Sequence, residues 1–409
     1  MSELPPFCDP GMLPPPGSDV VLGISGGVDS STTAAILQAN GCTVHGVYLK
    51  LFNARSVENA EKDAKSVGAL LGVSVETIDY REQFEEHVIR PFVEAYCTGE
   101  TPLPCALCNY YVKFDAFCGY AQKIGAGFVA TGHYALKKSI NGVSALCPAE
   151  DRGRDQSYFM FGISAAQLDM AVFPLGRAVK SNVRKYASTR GITVAQKPDS
   201  QDICFLSEYD GCYATFIREF LKENPGCNWN IKPGPILDAN NKALGEHDGA
   251  LHYTVGQRRG LGISAPHPLY VFKIVDNNVY VGPLEQLAVK KVFMKDCNYH
   301  PLARQMLGLD QNQKAGHVGV SDPRLSPEAA PGELSSGSPK EESRKKFPVL
   351  TQYRSAMPPI PAVFEIDDVD GPVITFDEPQ YGVSPGQAEV FRMSDGTVLG
   401  GGWIARTAA

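Results

Sequence analysis

Two groups of residues in this 409-residue chain have types and spacings suited to chemistry. The first is Gly23-Ile24-Ser25-Gly26-Gly27-Val28-Asp29-Ser30. Adjacent glycines let a backbone turn tightly and approach a phosphate closely. A helix starting there would aim free N–H groups and the positive end of its dipole at the anion. Ser25 and Ser30 add hydroxyl donors, and Asp29 is placed to help hold a magnesium ion against the phosphates. The lysine of a Walker-type loop is absent. A bare Gly-Gly would read as a tight turn capped by serine; the whole segment, set between a strand and a helix, reads as a nucleotide loop.

The second group is made of cysteines. Leu103-Pro104-Cys105-Ala106-Leu107-Cys108-Asn109 is followed by Val112-Lys113-Phe114. Lys197-Pro198-Asp199-Ser200-Gln201-Asp202-Ile203-Cys204-Phe205-Leu206 comes much later. A CxxC pair suits half of a zinc site or a thiol redox motif. No second CxxC or histidine pair follows to complete a metal centre, so none is expected. Cys204, flanked by Ile203 and Phe205, reads by itself as a buried apolar residue.

These residues need elements to hold them. Asp19–Ile24 is strand-like, Ser30–Ala39 helical, Cys42–Leu49 a strand and Glu58–Leu71 a helix. Val73–Ile78, Arg81–Tyr96 and Phe128–Thr131 continue the alternation as strand, helix and strand. Such alternation implies an α/β fold, a parallel sheet with helices on both faces, over residues 19–210. Residues 1–18 hold six prolines and two glycines and read as a loose leader. Residues 211–285 suggest a small central module, with a helix at Tyr213–Leu221 and hairpin turns at Asn240-Asn241 and Asp276-Asn277. Residues 286–409 suggest a β-barrel built from 362–366, 373–376, 388–392 and 397–399. Residues 303–346, rich in Ser, Pro, Glu and Lys, interrupt it and read as a disordered insertion.

Bulk properties narrow the class. With 43% hydrophobic and 20% charged residues the chain reads as globular. No apolar run approaches the roughly eighteen residues of a membrane span. The start shows neither a secretory signal nor a transit peptide, which makes the cytoplasm the expected location. A net charge of −7 does not favour nucleic acid, so any RNA surface must be local. Eleven cysteines at irregular spacing suggest reduced thiols, some reactive.

The glycine-rich turn resembles the SGGxDS loop of ATP pyrophosphatases, which split ATP between the α and β phosphates and adenylate a substrate. The cysteine segments resemble those of the tRNA-specific 2-thiouridylases, which carry a cysteine before Asn-x-x-x-Lys-Phe and another in Asp-Ser-x-x-Ile-Cys-Phe. Thr131-Gly132-His133-Tyr134, Asp155-Gln156-Ser157-Tyr158-Phe159, Gly256–Leu261 and Gly386-Gln387-Ala388 with Leu399–Gly402 match in the same order. The resemblance implies that ATP adenylates the 2-oxygen of the wobble uridine of a tRNA. Sulfur then arrives as a persulfide on Cys204, and Cys108 acts as nucleophile, leaving a Cys108–Cys204 disulfide. It also implies that Gly23 through Ser30, Leu49 and Gly132 contact ATP with its magnesium. Leu103, Pro104 and Cys105 fall at the target-base position. His133, Arg154, Asp155, Gln156, Gln352, Tyr353 and Gln387 fall at tRNA contacts. The implied partners are tRNA and a sulfur donor, either a cysteine desulfurase or a relay protein. Two departures stand out: Leu103-Pro104-Cys105 lacks the acidic residue common there, and Gln352 replaces a usual arginine. Another ATP pyrophosphatase, or a non-catalytic RNA-binding relative, is the alternative.

Overall fold

The computed structural model describes residues 3–199, 202–225, 231–309 and 346–409. Its first strands are β1 (Asp19–Gly23), β2 (Thr43–Lys50), β3 (Ser74–Asp79) and β4 (Phe128–Ala130). A hairpin of β5 (Ala135–Ile140) and β6 (Val143–Pro148) precedes the short β7 (Ala171–Val172). The main sheet runs β3-β2-β1-β4-β7 with every neighbouring pair parallel. Val20, Val21 and Leu22 are all fully buried, as a strand covered on both faces requires. Val20 and Leu22 pack with Ala34 and Leu37 on one side, and Val21 with Phe117 and Val129 on the other. The chain moves one way from β1 to β2 and β3, then returns to place β4 on the opposite side. That reversal opens a crevice at the carboxyl ends of β1 and β4, where open α/β sheets bind their ligands.

Helix α1 (Val28–Ala39) fills the first crossover and α2 (Arg55–Leu71) the second. Nearly every residue of α1 is buried, because the helix Lys180–Thr189 covers its outer face through Val183 and Ala187. The leader is not loose. Leu4, Phe7, Cys8 and Leu13 pack beside Tyr186, Ala187 and Ile192, and Arg177 bridges Asp9 and Glu150 at 2.9 and 3.1 Å. Prolines already restrict this segment, so a few apolar anchors suffice to order it.

The helix Tyr213–Glu223 sends Phe216, Ile217 and Phe220 into the first domain, against Phe84 and Phe92. The central sheet starts after it, with β8 (Gly234–Leu237), β9 (Ala243–His247), β10 (Tyr270–Val275) and β11 (Asn278–Gly282) in the order β10-β11-β8-β9. Asp276 and Asn277 take φ of 50° and 65°, the tight hairpin turn their types favour.

The barrel closes as β12-β15-β14-β13-β16-β17. Its strands are β12 (Ala288–Tyr299), β13 (Lys346–Gln352), β14 (Ile360–Asp367), β15 (Gly371–Tyr381), β16 (Ala388–Arg392) and β17 (Val398–Ala408). The expected insertion departs from its reading at the start: residues 303–307 belong to the helix Pro301–Leu307, anchored by buried Leu302 and Ala303. Residues 310–345 lie outside the described ones. One face of the barrel is sealed to the first domain. Ala388, Val390, Val398 and Trp403 share a core with Ala106, Phe114, Tyr158 and Phe161. Buried Arg392 donates to Ser157 Oγ and Gln352 Oε1, both at 3.0 Å.

Candidate active site

The glycine-rich turn leaves β1 and enters α1 at the crevice. Gly26 has φ of +72°, and a Cβ there would meet the carbonyl of Ala60 in α2 at 2.4 Å. Ser25 N–H donates to Ser30 Oγ at 3.1 Å, folding the turn on itself. Gly27 is the N-cap and supplies no side-chain cap, so the first N–H groups of α1 stay open to an anion. Gly132, just past β4, passes so close that a Cβ would lie 2.8 Å from the Ser30 nitrogen. The loop and the end of β4 therefore line one site. Leu49, the next-to-last residue of β2, is largely buried.

Asp29 does not point into open solvent. Lys180 Nζ donates to its two carboxylate oxygens at 2.8 and 2.7 Å, and Tyr134 O–H donates at 2.8 Å. The same ammonium lies 2.9 Å from Asp199, which Arg184 and Arg154 also hold at 2.7 and 2.9 Å. Burial works against the Asp199 charge, but Lys180 and the two guanidinium groups keep its carboxyl below the usual range.

Three cysteines gather around Lys113, whose charge also acts on His133, the residue after Gly132. The helix Pro104–Leu107 carries Cys105 and runs into a π-helical turn, Cys108–Lys113. In an α-helix, residues five apart would point about 140° from each other. Bonding from i to i+5 brings them together, so Cys108 and Lys113 face the same way. Phe205 and Leu206 pack with Cys108, Val112 and Phe92, which sets Cys204 against the turn. Cys204 itself stays exposed while the two residues after it are buried, so the apolar reading of Cys204 fails. Cys105 is exposed and Cys108 buried.

A reactive thiol calls for partly exposed, electropositive surroundings, and the cation is present. Lys113 is close enough for its charge to act on Cys105, Cys108 and Cys204. Desolvation wins nevertheless: buried Cys108 is pushed up to about 11, and the Cys204 thiol, crowded by neighbouring atoms although its residue keeps exposed surface, is pushed up to about 12. Both are thiols at neutral pH in this state. Burial also disfavours the charge of Lys113, but the negative charge that the facing cysteines take up on ionising more than offsets that and leaves its pKa raised. His133, which meets Thr131 Oγ1 at 2.9 Å, is driven down to about 3 by burial and then by Lys113, so its ring is neutral. Because Lys113 is the group that lowers these thiols, Lys113→Met should slow alkylation of Cys204 at pH 8 by about three- to tenfold. Its pH profile should move further up. An unchanged rate would show that the ammonium does not act on the thiol.

The remaining expected contacts divide in two. Leu103, Cys105, His133 and Arg154 keep surface open to solvent, and Pro104 is buried. Others are engaged internally. Asp155 accepts from the Ala149 and Ser157 N–H groups at 2.9 and 3.1 Å, and Gln156 accepts from Tyr134 N–H at 2.9 Å. Gln352 is buried, donating to three carbonyls of the turn after β13, and Tyr353 is buried in the barrel core. Gln387 donates to the carbonyls of Thr101 and Pro102 at 3.0 and 3.2 Å, tying the barrel to the approach of the cysteine turn. Lys180 was not expected at all, and its lone position in the sequence gives no motif to find it by. Lys113 is visible in the sequence only as the lysine of the Asn-x-x-x-Lys-Phe pattern.

Comparison with known proteins follows the same architecture. Residues 18–208 match the tRNA methyl transferase HUP domain and 216–283 the tRNA methyl transferase PRC-barrel domain. Residues 333–404 match the aminomethyltransferase beta-barrel domain. The tRNA-specific 2-thiouridylase MnmA of Rickettsia akari is 39% identical over 95% of this chain and 97% of its own. That of Methylobacterium radiotolerans is 36% identical over 95% of this chain and 94% of its own. A solved U34-tRNA thiolase, NcsA from Methanococcus maripaludis, is 15% identical over 51% of this chain and 67% of that one. Its TM-score of 0.33 is too low to carry an argument.

Proposed function

We propose a mechanism from one premise: this chain belongs to the tRNA-specific 2-thiouridylase family and catalyses ATP-dependent 2-thiolation of a tRNA uridine. The domain families are named for methyl transfer and the full-length relatives for thiolation. The relatives span nearly the whole of both chains, and thiols gathered at one lysine suit sulfur chemistry, so thiolation is the reading followed.

ATP is the nucleotide we assign to the loop Gly23–Ser30. Its phosphates would take the open N–H groups of α1, with Leu49 and Gly132 framing the rest of the molecule. A magnesium ion that accompanies the nucleotide would neutralise phosphate charge. Asp29 fits as one ligand, since its carboxylate is partly exposed and such ions keep most of their water and phosphate oxygens. The uracil 2-oxygen attacks the α-phosphorus and pyrophosphate leaves, so AMP becomes the leaving group at carbon 2. The outer sulfur of a persulfide on Cys204 then attacks that carbon and expels AMP. Cys108 attacks Cys204 Sγ, breaking its bond to the transferred sulfur, which stays on the base. A Cys108–Cys204 disulfide remains and needs an external reductant before the next turnover. The exposure of Cys204 supports its role as the thiol that a sulfur donor, a desulfurase or relay protein, can reach. Leu103, Pro104 and Cys105 would face the target base, and His133 and Arg154 the tRNA around it. Asp155, Gln156, Gln352, Tyr353 and Gln387 would shape that surface from beneath. Among the described residues no helix is long and apolar enough to cross a membrane. We place the enzyme in the cytoplasm with its tRNA.

The observation that carries this reading is the packing of the Cys204 segment on the Cys108 turn, with Lys113 acting on both cysteines and on His133, next to the Gly132 that lies against the loop residue Ser30. The test is pyrophosphate release with ATP, tRNA and a persulfide donor, read beside nucleoside mass spectrometry for 2-thiouridine. Both products should depend on tRNA. Release without thiouridine, or with a different acceptor, would indicate another ATP pyrophosphatase, and no release at all an RNA-binding relative.

A further inference from the structure

We infer that Lys180 is a positioning residue that joins the nucleotide loop to the segment bearing Cys204, so that occupancy of the first sets the placement of the second. The inference rests on the function proposed above. Lys180 is the first residue of the helix Lys180–Thr189, which is clamped on α1 through Val183 and Ala187. Its side chain is only 11% exposed, and one ammonium serves two carboxylates that belong to different parts of the site. Asp29 lies on the loop, at 2.7 and 2.8 Å. Asp199, at 2.9 Å, stands five residues before Cys204.

Asp199 is itself pinned. Arg184, on the next turn of the same helix, reaches it at 2.7 Å and also donates to the carbonyls of Ala195 and Lys197 at 2.7 and 2.8 Å. Arg154 closes the set at 2.9 Å. The polar links run without a gap from Asp29 through Lys180 to Asp199. A buried ion left without its partner is strongly destabilised, so such a set rearranges together. A nucleotide brings several negative charges to the open N–H groups beside Asp29, and any divalent ion with it competes for the same carboxylate. Either event draws on the ammonium that Asp29 and Asp199 share. Lys180 then turns toward the phosphates, and the hold on Asp199 changes with it. The sulfur-bearing segment thereby responds to a full loop.

The test uses the full chain and a non-hydrolysable ATP analogue with magnesium at saturating concentration, its binding measured for each variant. Alkylation of Cys204 is followed by peptide mass spectrometry, with exposed Cys212 as the internal reference. In the native protein the analogue should change the Cys204 rate at least threefold and leave Cys212 unaffected. Lys180→Arg should keep the response, while Lys180→Met and Asp199→Asn should lose it. Asp199→Asn should also yield at least tenfold less thiouridine per pyrophosphate released. A wild-type response in Asp199→Asn, or no response in the native protein, overturns the coupling. Should Lys180→Met fail to fold, Lys180→Arg and Asp199→Asn still decide the matter. Absence of tRNA-dependent pyrophosphate release would instead defeat the proposed function, and the alkylation readout would stand apart from it.

Discussion

Cys204→Ser and Cys108→Ser should each lower thiouridine formation by ~10³-fold or more, the usual loss when a nucleophile is removed. Cys105→Ser should retain activity within about tenfold of the native rate, the size expected for a supporting group. All three thiols gather at Lys113, so proximity alone does not rank them. Register does. The π-helical turn aligns Cys108 with Lys113, and the Phe205 and Leu206 anchor sets Cys204 against that same turn. Cys105 sits one turn earlier, on the exposed side. The serine variants keep the nucleotide loop intact, so tRNA-dependent pyrophosphate release should survive in all of them. Non-reducing peptide maps after one turnover should show the Cys108–Cys204 link in the native protein and in Cys105→Ser. A dead Cys105→Ser beside an active Cys108→Ser would reverse the assignment.

Gly26→Ala should reduce pyrophosphate release by ~10²-fold or more, the scale of loss when a phosphate-cradling backbone is displaced. Two effects combine. A φ of +72° costs an alanine roughly 1 kcal/mol. The added carbon would also stand 2.4 Å from the Ala60 carbonyl, a backbone atom of α2 that cannot swing aside as a side chain would. The turn must then move off α2, and its N–H groups move with it. Gly27→Ala is the contrasting variant. Its φ is an ordinary −101°, and its new carbon would meet only Ser25 Oγ at 3.4 Å. Activity close to native in Gly27→Ala and heavily reduced in Gly26→Ala would assign the effect to that contact. Equal losses would point to a general intolerance of side chains in the turn.

Much of the fold was legible because local patterns carry it. Val20-Val21-Leu22 reads as a strand covered on both sides, and both sides are covered. Asp276-Asn277 reads as a tight turn, and the backbone obeys. Strand β12 escaped notice because Lys290, Lys291 and Lys295 break its apolar run, and only closure of the barrel makes that sequence a strand. The leader looked loose because proline and glycine dominate its count, while four well-placed apolar side chains decide its fate. At the site, the nucleotide turn and both cysteines were visible as motifs. Lys180 was not, since its partner Asp29 lies 151 residues away and no periodicity connects them. Gln352, Tyr353 and Gln387 show the reverse case. The motif match offers them as tRNA contacts, and only the fold shows that Gln352 and Tyr353 are buried in the barrel and that Gln387 ties the barrel to the approach of the cysteine turn.

That last tie has a consequence in time. The residues packed around Ala106 and Phe114, on either side of Cys108, include Ala388, Val390, Val398 and Trp403 from the far end of the chain. A ribosome adding roughly 5–20 residues per second needs on the order of ten to forty seconds to pass from the end of the first domain to those strands. During that interval the nascent domain can possess its nucleotide turn, which is built from local neighbours in β1, α1 and α2. It cannot possess the finished cysteine turn, because part of the wall behind it, Ala388, Val390, Val398 and Trp403, has not been made. The two halves of the site therefore mature in sequence. The reactive thiols take their final setting only once the polypeptide is nearly complete.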